Sequence, residues 1–410
     1  MAQSDLTNQF RLNNVQPGEL AAFLSEGGTS HAITGRRFQY LGCIEVAYTN
    51  KGGIAKIVGD RNDPIVQKKL TEFPHVFGDH GLAVQTEAIF AQMPIKGFFR
   101  YSDVLQIMPD RSFPDPFEAN DLTQRPFPVV LQYGYRKSPN HGVDFWRRNE
   151  AFHEVFYLLS ALIEHGFYKQ EPNRAWGIQL DEANSSLCNV SFSLGYSLRD
   201  SINLDNTSSF EDPASFKPIA EMDPQKYYTQ QGIDISRHLM LPRNFRDFLT
   251  SYFALEAAKR QKFLRAAYWL NTSHVVAKHS SSLSYQCLVQ AIEALSGREK
   301  EEIQECPRDD CSFKICQDVG PTKLFRQFLE KYARGTPSNI ISQFYDMRSK
   351  LTHGSRLMPQ DTEFDSFISS HLEASSKALH LRLVVVRCLV NWLLDQTPFF
   401  RVSDSDLPKH

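Results

Sequence analysis

Apolar positions along the chain follow two regimes. Up to about residue 200 they gather in short runs bounded by Pro, Gly or Asn, namely Phe38 to Tyr48, Val84 to Gln92, Val129 to Tyr135 and Cys188 to Tyr196. Runs of this length with such boundaries predict strands. In the last of them Cys188, Val190, Phe192, Leu194 and Tyr196 alternate with Asn189, Ser191, Ser193 and Gly195, the period of a strand with one buried face. Between these runs, Glu150 to His165 carries Val155, Phe156, Leu158, Leu159, Leu162 and Ile163 at a spacing nearer 3.6 than 2, which predicts a helix ending at Gly166. The Pro-rich stretch Pro109 to Pro128 reads as a long loop or a crossing between subdomains. Ser201 to Asp234, rich in Ser, Asn, Asp and Pro, reads as the junction between domains.

From Asn244 onward the apolar steps are three and four residues. Phe245, Phe248, Leu249, Tyr252 and Phe253 form one stripe, Phe263, Ala266, Ala267 and Leu270 a second, and Cys287, Leu288, Ala291, Ile292 and Leu295 a third. Lys323 to Tyr332, Asn339 to His353 and Phe364 to Leu394 add further amphipathic segments, punctuated by Gly297, Gly335, Pro337, Gly354 and Pro359. The expected class is α+β: a mixed strand and helix domain over residues 1–235, then an all-α bundle of about five helices over 236–410. Leu381 to Leu394 is the most apolar stretch, but it falls short of the roughly 20 residues of a membrane span and contains Arg382, Arg387 and Asn391. It reads as a helix buried on more than one side.

Composition narrows the setting. The chain has 410 residues with 41% hydrophobic content, ample for buried cores, and 45 Lys and Arg against 47 Asp and Glu, so no global positive charge announces a nucleic-acid binder. The charge is nevertheless uneven: 21 basic against 28 acidic residues up to residue 235, and 24 against 19 beyond it. The seven cysteines are scattered and odd in number, and Met1 to Val15 has no signal-peptide pattern, so a reducing cytoplasm and no membrane are expected.

Chemistry concentrates at the end of the segment Asn339 to His353, where Arg348 and His353 stand five residues apart and Gly354 follows. Basic residues are common in a last helical turn, and Gly is usual just after it. Arg136 with His141 and Arg148 with His153 repeat the same spacing elsewhere in the chain. Five steps of about 100° put Arg348 and His353 roughly 140° apart on an ideal helix. Convergence therefore needs either a distorted last turn or a second subunit related by a two-fold axis.

The string Tyr345-Asp346-Met347-Arg348-Ser349-Lys350-Leu351-Thr352-His353-Gly354, with Gln290-Ala291-Ile292-Glu293-Ala294-Leu295 on the helix before it, resembles HEPN domains, above all their Apea-like branch. The resemblance covers about residues 245–395. It implies a helical domain that pairs as a homodimer and cuts RNA without a metal or other cofactor, with Arg348 and His353 in the catalytic roles. By this reading the ribose 2′-OH attacks the adjacent phosphorus, a base takes its proton, and His353 protonates the departing 5′ oxygen while Arg348 stabilises the phosphorane. The products carry a 2′,3′-cyclic phosphate and a 5′-OH. Ser349, Tyr345 and Glu293 are supporting residues; Ser349 departs from the Asn, Asp or His common in the wider superfamily, and a hydroxyl can orient but cannot act as a base. The resemblance further implies a regulated toxin or an anti-phage effector. The other reading is an inactive member of the same fold that binds RNA, nucleotide or a protein partner.

Three further features complete the candidates. Lys323, Arg326 and Lys350, with Lys331 and Arg334, could flank a phosphate-bearing substrate such as RNA, although solvated helix faces look the same. Cys306, Cys311 and Cys316 suggest zinc but lack a fourth ligand, so an unmetallated loop is preferred. His75, Asp79 and His80 read as an exposed loop. The first 235 residues show no phosphate loop, dinucleotide fingerprint, nucleophile elbow or His-Glu-x-x-His.

Overall fold

The computed structural model describes residues 3–10, 12, 15–25, 31–50, 52–91, 93–109, 127–163, 167–169, 175–180, 188–193, 208–229, 238–277, 279–296, 304–305, 314–315, 320–362 and 369–396. It is an α+β protein, strand-rich towards the N-terminus and helical towards the C-terminus.

The first layer is an antiparallel sheet in the order β1 (Ser4–Asp5), β5 (Ile54–Gly59), β4 (Ile44–Tyr48), β3 (Arg37–Tyr40) and β2 (His31–Thr34). The predicted strand at 38–48 is thus a hairpin. Leu41 and Gly42 both take positive φ, 53° and 70°, and the Cys43 amide donates to the Tyr40 carbonyl at 3.2 Å, a tight turn within the three-residue link between Tyr40 and its partner Ile44. Helices α1 (Pro17–Ser25) and α2 (Pro64–Val76) close this sheet over a core that includes Phe10, Phe23, Val46, Ile57 and Phe73.

The second sheet runs β10 (Phe167–Lys169), β6 (Leu82–Ala91), β9 (Phe127–Arg136), β8 (Leu105–Pro109) and β7 (Phe99–Tyr101), again antiparallel. The runs predicted at 84–92 and 129–135 are its two long central strands. Pro109 and Pro128 lie in β8 and β9, which pair directly, so the Pro-rich stretch connects neighbours in one sheet rather than crossing between subdomains; residues 110–126 lie outside the described residues. The helix predicted at 150–165 is α3 (His141–Leu162), longer at its start because the Asn140 side chain accepts the Val143 amide at 3.0 Å and caps it there. β11 (Ala175–Leu180), which the sequence pattern did not suggest, pairs with β12 (Cys188–Ser193); residues 194–196 of that predicted strand lie outside the described residues.

The expected junction at 201–234 is, over its described part, woven into the core. Residues around Pro218 bridge Phe98, β13 (Glu221–Met222) pairs with β14 (Leu241–Pro242), and α4 (Pro224–Thr229) buries Tyr227 and Tyr228. Gly97 is what lets that chain approach: its φ is +112°, and a Cβ there would stand 2.4 Å from the Lys217 carbonyl oxygen. Gln106 and Gln132 bond the Glu211 backbone from the far face of the sheet.

Beyond lie α5 (Phe245–Phe253), α6 (Ala257–Val276), α7 (Ser281–Ser296), the short pair β15 (Gln304–Glu305) and β16 (Lys314–Ile315), α8 (Pro321–Tyr332), α9 (Ser338–Thr352), the one-turn α10 (Pro359–Thr362) and α11 (Ser369–Asp395). The segment 381–394 is buried, Arg387 and Asn391 included, except at the partly exposed Arg382, because α11 packs against α5, α6, α7 and α8 and also against α3 and α4. One apolar core runs from Ile89 in the second sheet through α3 to Leu394, and so continues across residue 235. Among the described residues no helix is long and apolar enough to cross a membrane.

Candidate functional site

The motif helix α9 follows the short turn at Gly335 and buries Ile341, Phe344 and Leu351 against its neighbours. Its end is a Schellman cap. Gly354 has φ +66°, its amide donates to the Leu351 carbonyl at 3.2 Å, and the Ser355 amide reaches back to the Lys350 carbonyl at 3.0 Å. No heavy atom stands within 4 Å of a Cβ built on Gly354, so the glycine is there for its backbone conformation rather than for space.

Arg348 lies on the side of α9 that faces α7. Its Nη2 is 3.0 Å from Glu293 Oε1, with about a fifth of the Arg348 side chain and a quarter of the Glu293 side chain exposed. The other Glu293 oxygen accepts from Gln290 Nε2 at 3.1 Å, and the Arg348 guanidinium lies 5.7 Å from the Tyr345 ring centroid. Tyr345 is in turn held by Phe325 of α8, at 5.6 Å between ring centroids. The Nε–H of Arg348 is buried without an acceptor, an unused donor at the centre of this group. Three of the residues singled out from the sequence, Arg348, Glu293 and Tyr345, therefore meet across two helices.

His353 stands apart from them. It is the capping residue of α9, exposed, with its amide donating to the Ser349 carbonyl at 3.0 Å. Among the described residues no hydrogen bond or ion pair joins it to Arg348. The helix stays regular to Thr352, so the last turn is not what brings the two together within one chain. Ser349 is half-buried, and its carbonyl takes part in the helix end.

The basic residues divide. Lys350 pairs with Asp346 one turn earlier at 2.6 Å, and Lys331 pairs with Asp395 at 2.9 Å, so both already have carboxylates. Lys323 and Arg326 are exposed on α8, two residues before and one after the Phe325 that touches Tyr345. Cys306, Cys311 and Cys316 lie outside the described residues. The ring of His80 reaches the His75 carbonyl, while Asp79 caps the Gly81 amide at 3.0 Å, which accounts for that cluster as loop structure. Among the described residues no group of His, Cys, Asp and Glu is arranged to hold a metal.

A residue with no signal in the sequence, Asp361, ties the segment after His353 to α7. Its carboxylate accepts the Ser281 amide at 2.7 Å, the Ser282 amide at 2.8 Å and the Ser280 hydroxyl at 2.9 Å, while Ser282 Oγ accepts the Met358 amide at 2.8 Å. Ser280 caps the next amide, that of Leu283, at 3.1 Å, so the first three orphan donors of α7 are all satisfied. Burial alone would raise the Asp361 carboxyl, but the hydrogen bonds from Ser282, Ser280 and Ser281 outweigh it and hold it below the usual range. A contact spanning 80 residues leaves no local pattern to read.

No protein-family model, no curated protein and no solved structure matches this chain.

Proposed function

We propose that the chain is a metal-independent endoribonuclease in which Arg348 and His353 act on the phosphate of an RNA strand. One observation carries the reading. Of the three Arg-x4-His pairs in the sequence, Arg348 is, among the described residues, the one whose guanidinium is half-buried and held by a carboxylate on another helix. A permanently charged group held this way, with a donor to spare, suits the stabilisation of a charge that develops in a transition state. The motif's resemblance to Apea-like HEPN domains supplies the reaction.

In this mechanism the 2′-OH attacks phosphorus, the bond to the 5′ oxygen breaks, and His353, exposed at the cap of α9, protonates the leaving oxygen. Arg348 neutralises the non-bridging oxygens, Glu293 and Tyr345 fix its direction, and Ser349 helps to orient the phosphate. Because Arg348 and His353 do not meet within one chain, the complete site belongs to a homodimer, in which a second copy supplies the second imidazole as base. Lys323 and Arg326 guide the strand. Such an enzyme is toxic unless restrained, which fits a cytoplasmic toxin or defence effector with the N-terminal half in control.

The experiment incubates the protein with total RNA and tRNA in EDTA, beside Arg348→Ala, His353→Ala and the control His141→Ala. Cleavage by wild type and His141→Ala, with cyclic-phosphate ends and no cleavage by the other two, supports the proposal. RNA bound but left uncut by every protein would instead identify a binding module.

A further inference from the structure

Residues 354–357 join the motif helix α9 to α10, and all four are exposed. A surface link of this kind is ordinarily free to move, but this one is fixed at both ends. At its start the Gly354 and Ser355 amides close the Schellman cap, and Ser355 Oγ adds a second bond to the Lys350 carbonyl at 3.2 Å. At its end Met358 is wholly buried with its amide on Ser282 Oγ, and Asp361 accepts two amides and a hydroxyl at the start of α7. The same helix holds α9 itself. The hydroxyl of the buried Tyr285 donates to the Phe344 carbonyl at 3.3 Å, one turn before Arg348, and Glu293 holds the Arg348 guanidinium. One helix, α7, therefore sets where Arg348, His353 and the link beyond them stand.

That link carries a single charge, Arg356. Three residues past His353, its Cα lies within about 11 Å of the His353 Cα by chain length alone. The acids of the motif region are already engaged, Glu293 by Arg348, Asp346 by Lys350 and Asp361 by the α7 donors. Arg356 is exposed and, among the described residues, has no carboxylate, carbonyl or ring as a partner. An exposed arginine is ordinarily just a solvated one. Arg356 differs from Lys350 and Lys331, which both have carboxylates, in joining an unmatched charge to a backbone held at both ends. Little backbone order is then left to lose when it takes an anion, and its planar fork fits the paired oxygens of a phosphate.

We propose that Arg356 binds the phosphate next to the one acted on at His353, so that the link 354–357 is a contact loop for a single RNA strand. The inference rests on the nuclease reading for the course of that strand. A strand whose reacting phosphate is at His353 presents the next one a single nucleotide away, inside the span that Arg356 covers. Arg356 is a binding residue in this scheme and takes no part in proton transfer.

The test is binding of a fluorescein-labelled 2′-O-methyl RNA strand, which lacks the attacking hydroxyl and so stays uncut, to the full chain by fluorescence anisotropy across a salt series. Arg356→Gln is expected to weaken binding about fivefold or more at about 50 mM salt, and to make log Kd against log salt shallower by about 0.7, the loss of one phosphate contact. Arg356→Lys keeps the charge and should keep the slope. Arg243→Gln removes an exposed charge just after β14 and should change neither quantity. Arg356 is exposed, so its Gln variant keeps the fold, and an unchanged thermal midpoint checks this. The proposal is overturned if the strand does not bind at about 50 mM salt, if Arg356→Gln binds like wild type, or if Arg243→Gln loses as much. Cleavage of ordinary RNA scores the nuclease reading separately. Cutting by wild type, with normal binding by Arg356→Gln, removes this proposal alone, whereas a lost contact in a protein that never cuts removes only the nuclease.

Discussion

Arg348 on α9 and Glu293 on α7 stand 3.0 Å apart, so the motif helix is locked to the helix that precedes it by a half-buried ion pair. Glu293 is itself oriented by Gln290, and Arg348 by the ring of Tyr345. Two helices thus share one charge arrangement, and disturbing either member changes the other.

Removing the acid should show this first. Glu293→Ala leaves a half-buried guanidinium without its partner, which costs about 1–3 kcal/mol. The urea midpoint should fall, and cleavage by the proposed nuclease should fall with it by about tenfold, the equivalent of about 1.4 kcal/mol in the transition state. Glu293→Gln keeps an oxygen acceptor and should recover most of the stability but little of the cleavage. A Glu293→Ala protein with wild-type midpoint and wild-type cleavage would mean that Arg348 is positioned by something else.

The cap of α9 gives a second prediction. Gly354 has φ +66°, and nothing crowds its missing side chain. Gly354→Ala should therefore cost only the left-handed backbone penalty, roughly 1–2 kcal/mol, and Gly354→Asn less than that. Thermal melts of the two variants, compared with wild type, measure the difference. Equal losses for Ala and Asn would point to a steric cause that the geometry does not contain.

How much was legible in advance differs between contacts. Period alone located α5, α6, α7, α8 and α9, since each carries an apolar stripe that its neighbours bury. Arg348, Glu293 and Tyr345 were singled out by a different signal, the resemblance of the motif and of the helix before it to HEPN domains. The hairpin at Leu41 and Gly42 was hidden because Leu is a poor marker of positive φ. Residues 208–229 read as a linker because backbone pairing, through Lys217, Pro218 and Ile219 with Phe98, anchors them, and such pairing leaves little trace in side-chain hydrophobicity. Asp361 was invisible for a related reason: one polar side chain caps a helix 80 residues away. The sequence argument for convergence of Arg348 and His353 left two routes, and the regular helix end removes the distorted turn.

The anchoring of that supposed linker can be tested at one atom. A Cβ on Gly97 would lie 2.4 Å from the Lys217 carbonyl oxygen and 2.9 Å from the Pro218 backbone, with φ at +112°. Backbone cannot yield as a side-chain tip can. Gly97→Ala should break the Phe98 to Lys217 and Ile219 to Phe98 hydrogen bonds, lowering stability by about 2–4 kcal/mol and raising amide exchange in 216–220 above that in 245–253. Unchanged exchange there would show that the segment is held without this contact.

The last prediction concerns acid. Asp361 bonds the first two amides of α7 and the Ser280 hydroxyl, and these hydrogen bonds hold its folded carboxyl below the ordinary aspartate range. The unfolded chain therefore binds its proton first as pH falls, so the stability Asp361 contributes is complete above about pH 5, shrinks as pH falls through the ordinary aspartate value of about 3.9, and is gone below the lowered folded one. Asp361→Asn removes the titration while keeping one acceptor oxygen. Its thermal midpoint should lie below that of wild type at pH 7, by the equivalent of about 1 kcal/mol for a lost helix cap, and the gap should close as pH is lowered through 4 towards 3. In wild type the same loss frees the Met358 to Thr362 segment, so amide exchange at Met358 should rise over the same interval. A gap that stays constant with pH would mean that Asp361 acts through its shape, and that its charge does not hold the chain after His353 to α7.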